Sequence, residues 1–142
     1  MEYIRKAYYH ETDQMGVIHH SNYLRWLEEA RIDFLNKADI SYKKLEEMGL
    51  ISPVVSINIE YKAPVTFDDV VVIKTEILNF SSAKFEFSYD IIRQKDNKLC
   101  VHATSKHCFL KDNKVISMKR EFPEIHKKLL EMVEQINEEH SA

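Results

Sequence analysis

The chain has 142 residues, of which 44% are hydrophobic and 30% charged, which fits one globular domain spanning residues 1–142. A formal net charge of −3 gives no basic field, so we expect no nucleic-acid partner. No apolar run is close to the length of about 18 residues that a helix needs to span a bilayer. The first residues, MEYIRKAYYHETD, do not show the apolar segment that is typical of a secretory leader. We therefore expect a cytoplasmic protein without membrane insertion, whose two cysteines, Cys100 and Cys108, are reduced thiols.

The first third of the chain is predicted to hold one strand and one long helix. Residues 3–9 form the strand, and a polar loop follows it. From Asn22 to about Lys37 the apolar residues recur at helical spacing, which predicts a helix with one buried face. Ser21 or Asn22 is a suitable N-cap. A short second helix is predicted over residues 42–48.

Beyond residue 53 the spacing changes to alternation, which predicts strands. Long strands cover residues 55–61, 71–77, 85–91 and 99–110, and a short one covers 115–118. Asp96–Asn97 and Asp112–Asn113 form tight turns, which join antiparallel neighbours. Pro123 begins a final amphipathic helix.

These elements predict an α+β fold. A curved antiparallel β-sheet wraps around one long central helix, because the sheet is the available partner for the apolar face of that helix. A C-terminal helix completes the domain. Apolar residues on the second face of the sheet indicate contact with another subunit.

The loop before the long helix gathers the residues that can do chemistry. Asp13 can act as a base or a nucleophile, and Gly16 lets the chain turn back toward the helix N-terminus. Backbone N–H groups there can polarise a carbonyl, and His20 can hold the acid, a water or the carbonyl. The alternative is that Asp13 only caps the helix or ties the loop through bonds to the backbone.

Other chemistries have less support. No HExxH motif, GxSxG elbow or Gly-rich phosphate loop occurs, so we expect no metal, no serine nucleophile and no cofactor. His102 and His107 are separated by an odd number of residues on one strand, so they lie on opposite faces. Met15 and Trp26 can line an apolar pocket or simply pack. Five cations near strand ends are either solvated or phosphate ligands: Lys84, Arg93, Lys106, Lys119 and Arg120.

The run from Tyr9 to Arg31 resembles a known family. The match is carried by Tyr9, Asp13, Gly16, Val17, His20, Asn22, Tyr23, Trp26, Glu28, Ala30 and Arg31. The run is similar to the 4-hydroxybenzoyl-CoA thioesterase-like family of hotdog-fold acyl-CoA thioesterases, in the branch that includes the Tol-Pal-associated thioesterases. Weaker similarity continues through IEYKAPVTFDD and SSAKFEFSYDI.

The resemblance implies hydrolysis of a small or medium acyl-CoA at a subunit interface, in a homodimer that pairs into a dimer of dimers, a homotetramer. It assigns the catalytic carboxylate to Asp13, with support from Tyr9 and His20. It places the carbonyl-polarising N–H group between His20 and Tyr23. The residues expected to contact substrate are Gly16, Val17, Asn22 and Tyr23, with Lys84 for a CoA phosphate.

Four residues depart from the family pattern, and they bear on substrate choice: Glu11, Gln14, Met15 and His19. Two alternatives remain open. The chain can be a non-catalytic acyl-CoA-binding module, because a fold does not fix a function. It can also be a thioesterase that acts on acyl-carrier-protein thioesters or on aromatic quinone-precursor CoA thioesters.

Overall fold

The computed structural model describes residues 1–81 and 83–141. The chain forms two compact units, each built from three segments. The first unit contains Met1–Phe34, Ile59–Thr75 and Tyr89–Ala103. The second contains Leu35–Asn58, Glu76–Ser88 and Thr104–Ala142. None of the helices in the described part of the chain is long and apolar enough to cross a membrane.

The secondary structure follows the predicted order. The helices are α1 (Ser21–Lys37), α2 (Tyr42–Glu47), α3 (Met118–Glu121) and α4 (Pro123–Ser141), and a 3₁₀ turn covers Tyr9–Glu11. The strands are β1 (Glu2–Lys6), β2 (Leu50–Ile51), β3 (Val54–Tyr61), β4 (Val70–Phe80), β5 (Lys84–Arg93), β6 (Lys98–Cys108), β7 (Leu110–Lys111) and β8 (Lys114–Val115).

Within the described residues the strands form two sheets. One is an antiparallel sheet of five strands in the order β1-β4-β5-β6-β3, and the other is a small sheet in the order β2-β7-β8. β1 pairs with β4 so that Glu2 lies opposite Lys74 and Lys6 opposite Val70.

The strand predicted over residues 99–110 ends at Cys108, and β7 begins at Leu110. The strand predicted over residues 115–118 is the shorter β8, and Met118 begins α3 instead. The sequence did not predict β2 or α3, because such short elements carry no periodicity.

In the first unit, α1 and the sheet segments supply the core. Tyr23, Leu27, Ala30 and Phe34 of α1 are at most 4% exposed, at the spacing that predicted the helix. In β4, Val71 and Ile73 are fully buried, and Val72 between them is half-exposed. The alternation predicted for β4 is confirmed.

The first strand is shorter than predicted. β1 ends at Lys6, and residues 9–11 form a 3₁₀ turn instead of continuing the strand. The turn is fixed by Glu11, whose carboxylate accepts the N–H of Tyr8 at 2.9 Å. A bond between residues three apart bends the backbone, so the extended conformation cannot continue.

The edge strand β3 does not bury one face. The strand predicted over residues 55–61 is confirmed, but Val55 is 64% exposed and Ile57 38% exposed in the chain. β3 lies at the edge of the five-stranded sheet. Exposed apolar side chains on an unpaired edge are typical of a contact surface.

In the second unit, the C-terminal helix covers residues of β4. The His126 ring lies 5.1 Å from the Phe80 ring, measured between centroids, and His140 Nε2 lies 2.9 Å from Glu76 Oε2. Glu76 and Phe80 lie an odd number of positions from the buried Ile77, so their side chains are on the opposite face of the strand. Here the second face of the sheet contacts the chain's own α4, where we expected another subunit.

Candidate active site

The loop before α1 is closed by a tight turn at Asp13. The Asp13 N–H donates to the Val17 oxygen at 2.8 Å, and the Gly16 N–H donates to the Asp13 oxygen at 3.1 Å. Gly16 has φ of +79°, a conformation that strains any residue with a Cβ. The end of the turn is held by Ile18, whose N–H donates to the Val65 oxygen at 2.8 Å. Gly16 therefore permits the turn, as predicted.

The Asp13 carboxylate lies inside this turn and is half-buried. Its Oδ1 accepts the Met15 N–H at 2.8 Å and the Val17 N–H at 3.4 Å. This is the loop-tying arrangement that the sequence left open as the alternative to catalysis. Oδ2 has no donor among the described residues, so the carboxylate keeps one oxygen available for a ligand or a water.

The start of α1 uses most of its amide groups within the loop. The Ser21 N–H donates to His19 Nδ1 at 3.2 Å, the Asn22 N–H to the His19 oxygen at 3.0 Å, and the Tyr23 N–H to the His20 oxygen at 3.2 Å. The His19 N–H donates to the Glu11 oxygen. Among the described residues, the His20 N–H is the one in this stretch that has no acceptor. Of the N–H groups from His20 to Tyr23 that were expected to polarise a carbonyl, the His20 N–H is thus the candidate that remains.

A cavity of about 320 Å³ opens beside the helix start. Of the predicted site residues, it brings together Val17, His20 and Tyr23. The His20 ring stacks on His19 at 4.2 Å and meets Tyr61 edge-on at 6.5 Å. Burial raises the pKa of Tyr23 to about 12, so its hydroxyl stays protonated at neutral pH. The remaining lining residues are Ile18, Tyr61, Lys62, Ala63 and Pro64.

The lining residues Tyr61 and Lys62 were not predicted as site residues. Tyr61 is the last residue of the exposed strand β3 and Lys62 follows it, and nothing in their local sequence distinguishes them from solvated residues. Lys62 lies 3.4 Å from Glu60, and both side chains are about half-exposed. Their place in the site depends on the pairing of residues distant in sequence, which a local pattern does not encode.

Glu11, which the sequence analysis linked to substrate choice, has a structural role instead. It is 5% exposed, and its carboxylate accepts from Arg5 Nη1 at 2.9 Å and Trp26 Nε1 at 2.8 Å. Burial raises its pKa, but the bonds from Arg5, Trp26 and the Tyr8 N–H outweigh burial, and the pKa is lowered. Trp26 is therefore a packing residue, not a pocket wall, and Glu11 does not lie at the pocket surface.

Comparison with known proteins establishes the family. A model of the thioesterase-like superfamily matches residues 9–133. The chain belongs to the thioesterase-like superfamily. YbgC of Escherichia coli O157:H7, named an acyl-CoA thioester hydrolase, is 30% identical over 94 residues, which cover 66% of this chain and 70% of its own. YneP of Bacillus subtilis (strain 168), named as a candidate acyl-CoA thioesterase, is 38% identical over 120 residues, covering 83% and 86%.

Solved structures place this superfamily member in the same fold as thioesterases. The DHNA-CoA thioesterase of Staphylococcus aureus is 33% identical, with a TM-score of 0.91 over 98% of this chain and 93% of its own. A protein of Aquifex aeolicus is 34% identical, with a TM-score of 0.84 over 91% and 98%. The predicted α+β class and the hotdog fold are confirmed.

The other predicted residues of this superfamily member have different surroundings. Tyr9 is 75% exposed and meets the Phe67 ring edge-on at 5.6 Å. The Asn22 amide is buried and donates to the Glu11 oxygen at 2.9 Å, so it supports the loop. Lys84 belongs to the second unit, where it lines a cavity of about 440 Å³ together with Lys106 and Phe85.

Two further predictions concern the remaining polar side chains. His107 is buried and stacked on Phe85, whereas His102 is half-exposed and lies 2.7 Å from Asp90, so the two histidines do face opposite sides. The Arg93 guanidinium is bound to Asp96 and to the Pro64 oxygen. Within the described residues, no group of three or more His, Cys, Asp or Glu side chains is placed to hold a metal ion.

Proposed function

We propose that this protein hydrolyses the thioester bond of an acyl-CoA. The observation that carries the proposal is the half-buried carboxylate of Asp13, with one oxygen available, in the loop that enters α1 beside a cavity lined by His20 and Tyr23. Membership of the thioesterase-like superfamily and the names of YbgC and YneP support it. We propose a small or medium acyl group, as the family resemblance implies.

Two routes start from Asp13. As a general base, its Oδ2 takes a proton from water while the water oxygen bonds to the thioester carbon, and the C–S bond then breaks. As a nucleophile, Oδ2 bonds to the same carbon and displaces the thiolate, which leaves a mixed anhydride that water hydrolyses. In both routes the thiolate leaves as CoA and takes up a proton from solvent.

The negative charge on the carbonyl oxygen needs a donor. We assign this role to the His20 N–H, because the neighbouring amides of α1 already have acceptors. The positive end of the α1 dipole adds to the attraction. The His20 ring, exposed beside Tyr61, is placed to orient the carbonyl or the water. Tyr9 supports the loop from the outside, and Gly16 and Val17 bring the turn close to the substrate.

Substitution of Asp13 tests the proposal. Asp13→Asn keeps the shape and one acceptor oxygen but removes the basic and nucleophilic oxygen, so thiol release from acyl-CoA should fall at least about 100-fold. The control is Asp68→Asn, the same change on an exposed turn residue that pairs with Lys6. Wild-type turnover in Asp13→Asn would rule out this assignment.

The route can be decided by isotope labelling. After a single turnover in ¹⁸O-water, label in the Asp13 carboxylate demonstrates an anhydride that water opens at the aspartyl carbon. Label only in the released acid is the result of general-base hydrolysis and also of an anhydride opened at the acyl carbon, and trapping of the acyl-enzyme with hydroxylamine separates these two. Mass spectrometry of the peptide containing Asp13 reads the difference directly.

The acyl group is the open choice. The S. aureus relative acts on DHNA-CoA by its name, and its similarity along nearly the whole chain favours an aromatic acyl-CoA as the second candidate. A thiol-release panel of aliphatic and aromatic acyl-CoA thioesters and acyl-carrier-protein thioesters separates these substrates. If the protein binds acyl-CoA but releases thiol from no member of the panel, it is a non-catalytic acyl-CoA-binding module.

We also propose that the protein works as a homodimer joined through β3, with pairing into a dimer of dimers. The exposed apolar residues of this edge strand support the interface. Lys84 shares its cavity with Val55 of β3, so we propose that it meets the phosphate end of CoA near that interface. The free thiols of Cys100 and Cys108 fit a cytoplasmic location.

A further inference from the structure

Glu11 connects three parts of the first unit. Its carboxylate binds Arg5 of β1 and the Trp26 indole of α1. Its backbone oxygen accepts from the His19 N–H at 2.9 Å and from Asn22 Nδ2 at 2.9 Å. Residues on both sides of the Asp13 turn are therefore anchored to this one residue.

We propose that Glu11 is a positioning residue that holds the Asp13 turn against the start of α1. The inference rests on the proposed function of Asp13. Asp13 follows Glu11 by two residues, and the other end of the turn reaches His19, whose N–H is bound to Glu11. A shift of Glu11 therefore moves both ends of the turn together, and small displacements of a catalytic group reduce rates strongly.

The carboxylate charge is needed for this role. Its two oxygens serve Arg5, Trp26 and the Tyr8 N–H, and three donors cannot be satisfied by the one acceptor oxygen of a glutamine. The Arg5 guanidinium also lies over the Trp26 ring at 4.4 Å, so an unbalanced charge there is poorly solvated. Glu11→Gln should therefore displace the 3₁₀ turn and, with it, Asp13.

The test compares Glu11→Gln with Glu29→Gln. Glu29 is the matched control, because it pairs with the same arginine at 3.3 Å and accepts from Tyr3 but makes no bond to residues 8–20. The chain has one tryptophan, so the indole N–H resonance of Trp26 reports on its bond to Glu11 without ambiguity. Each variant is measured for kcat, KM and thermal stability, and by amide NMR.

In Glu11→Gln we expect kcat to fall by about 10- to 100-fold with KM changed less than about threefold. The Met15 and Val17 amide resonances and the Trp26 indole resonance should shift. In Glu29→Gln, kcat and the Met15 and Val17 resonances should stay as in the wild type. Unchanged kcat in Glu11→Gln, or an equal loss of kcat in both variants, would overturn the inference.

Two further measurements keep the inference testable. If Glu11→Gln does not fold, Trp26→Phe removes one donor to the carboxylate while keeping an aromatic ring. It should lower kcat and shift the Met15 and Val17 amides, and unmoved amides would count against the role of Glu11. Wild-type turnover in Asp13→Asn would refute the proposed function, whereas the amide shifts test Glu11 independently of activity.

Discussion

At the residue scale, the proposed chemistry of this protein depends on the hydrogen bonds that hold the Asp13 turn. Asp13 accepts bonds from its own loop, which by itself is a structural arrangement. Its second oxygen and the His20 N–H have no partner among the described residues. Thioester hydrolysis needs a base or nucleophile and a donor to the carbonyl oxygen, which are the roles proposed for these two groups. The same residue can thus tie the loop and act on a substrate, so the two interpretations of Asp13 do not exclude each other.

Two glycines allow a test of the turn. Gly16 and Gly49 have φ of +79° and +80°, and neither has an atom within 4 Å of an added Cβ. Replacing either by alanine should cost about 1–2 kcal/mol of unfolding free energy through backbone strain alone. Only Gly16→Ala should also lower turnover, because only that strain lies in the Asp13 turn. Urea unfolding and thiol release measure the two effects, and equal turnover in both variants would contradict this prediction.

At the element scale, α4 is fastened to β4 by a titratable contact. His140 lies 2.9 Å from Glu76, and this hydrogen bond and charge attraction raise the His140 pKa above its ordinary value, with a small further rise from Glu139. A raised pKa in the folded state means that the contact stabilises the helix end fully below pH 6.5. That contribution is lost as pH rises through the raised value.

The prediction is that the last turn of α4 loosens as pH rises above 6.5 and through the raised pKa of His140. Hydrogen exchange of the amides of residues 136–140 should quicken over this range by more than the intrinsic pH dependence. Glu76→Gln, which keeps the shape of the side chain, should remove the extra change. If the wild type and this variant respond alike, the contact does not fasten the helix.

At the scale of the whole molecule, the exposed face of β3 predicts the assembly. The two edge strands of the five-stranded sheet carry comparable isoleucines, Ile57 of β3 at 38% exposure and Ile4 of β1 at 58%. If the proposed homodimer forms through β3, Ile57→Lys should convert it to monomers, because a charge would be buried without a partner in the interface. Ile4→Lys should leave the dimer intact.

Sedimentation velocity of both variants at the same concentration gives the answer. If Ile57→Lys remains a dimer, the subunits do not meet through β3. If Ile4→Lys also dissociates, the effect reflects charge in general and does not identify an interface. Loss of activity with loss of the dimer would further support a site completed at that interface.

The sequence by itself determined the order of the elements and the family, and it predicted where the chemistry lies. The spacing of Tyr23, Leu27 and Ala30 predicted α1, and alternation predicted β4, because burial of one face imposes those periods on the chain. The motif from Tyr9 to Arg31 pointed to the thioesterase family, which is confirmed. The assignment of catalysis to Asp13 stays a prediction.

Only the tertiary structure decided how these parts meet. It showed that Glu11 is buried among Arg5 and Trp26 and that β3 is exposed. It also showed that the first three amides of α1 have acceptors, whereas the His20 N–H before the helix has none among the described residues. These features depend on contacts between residues distant in sequence, such as β1 with α1, whereas periodicity reports only which side of an element is buried. A polar residue in a loop has the same local signature whether it anchors the site or faces solvent.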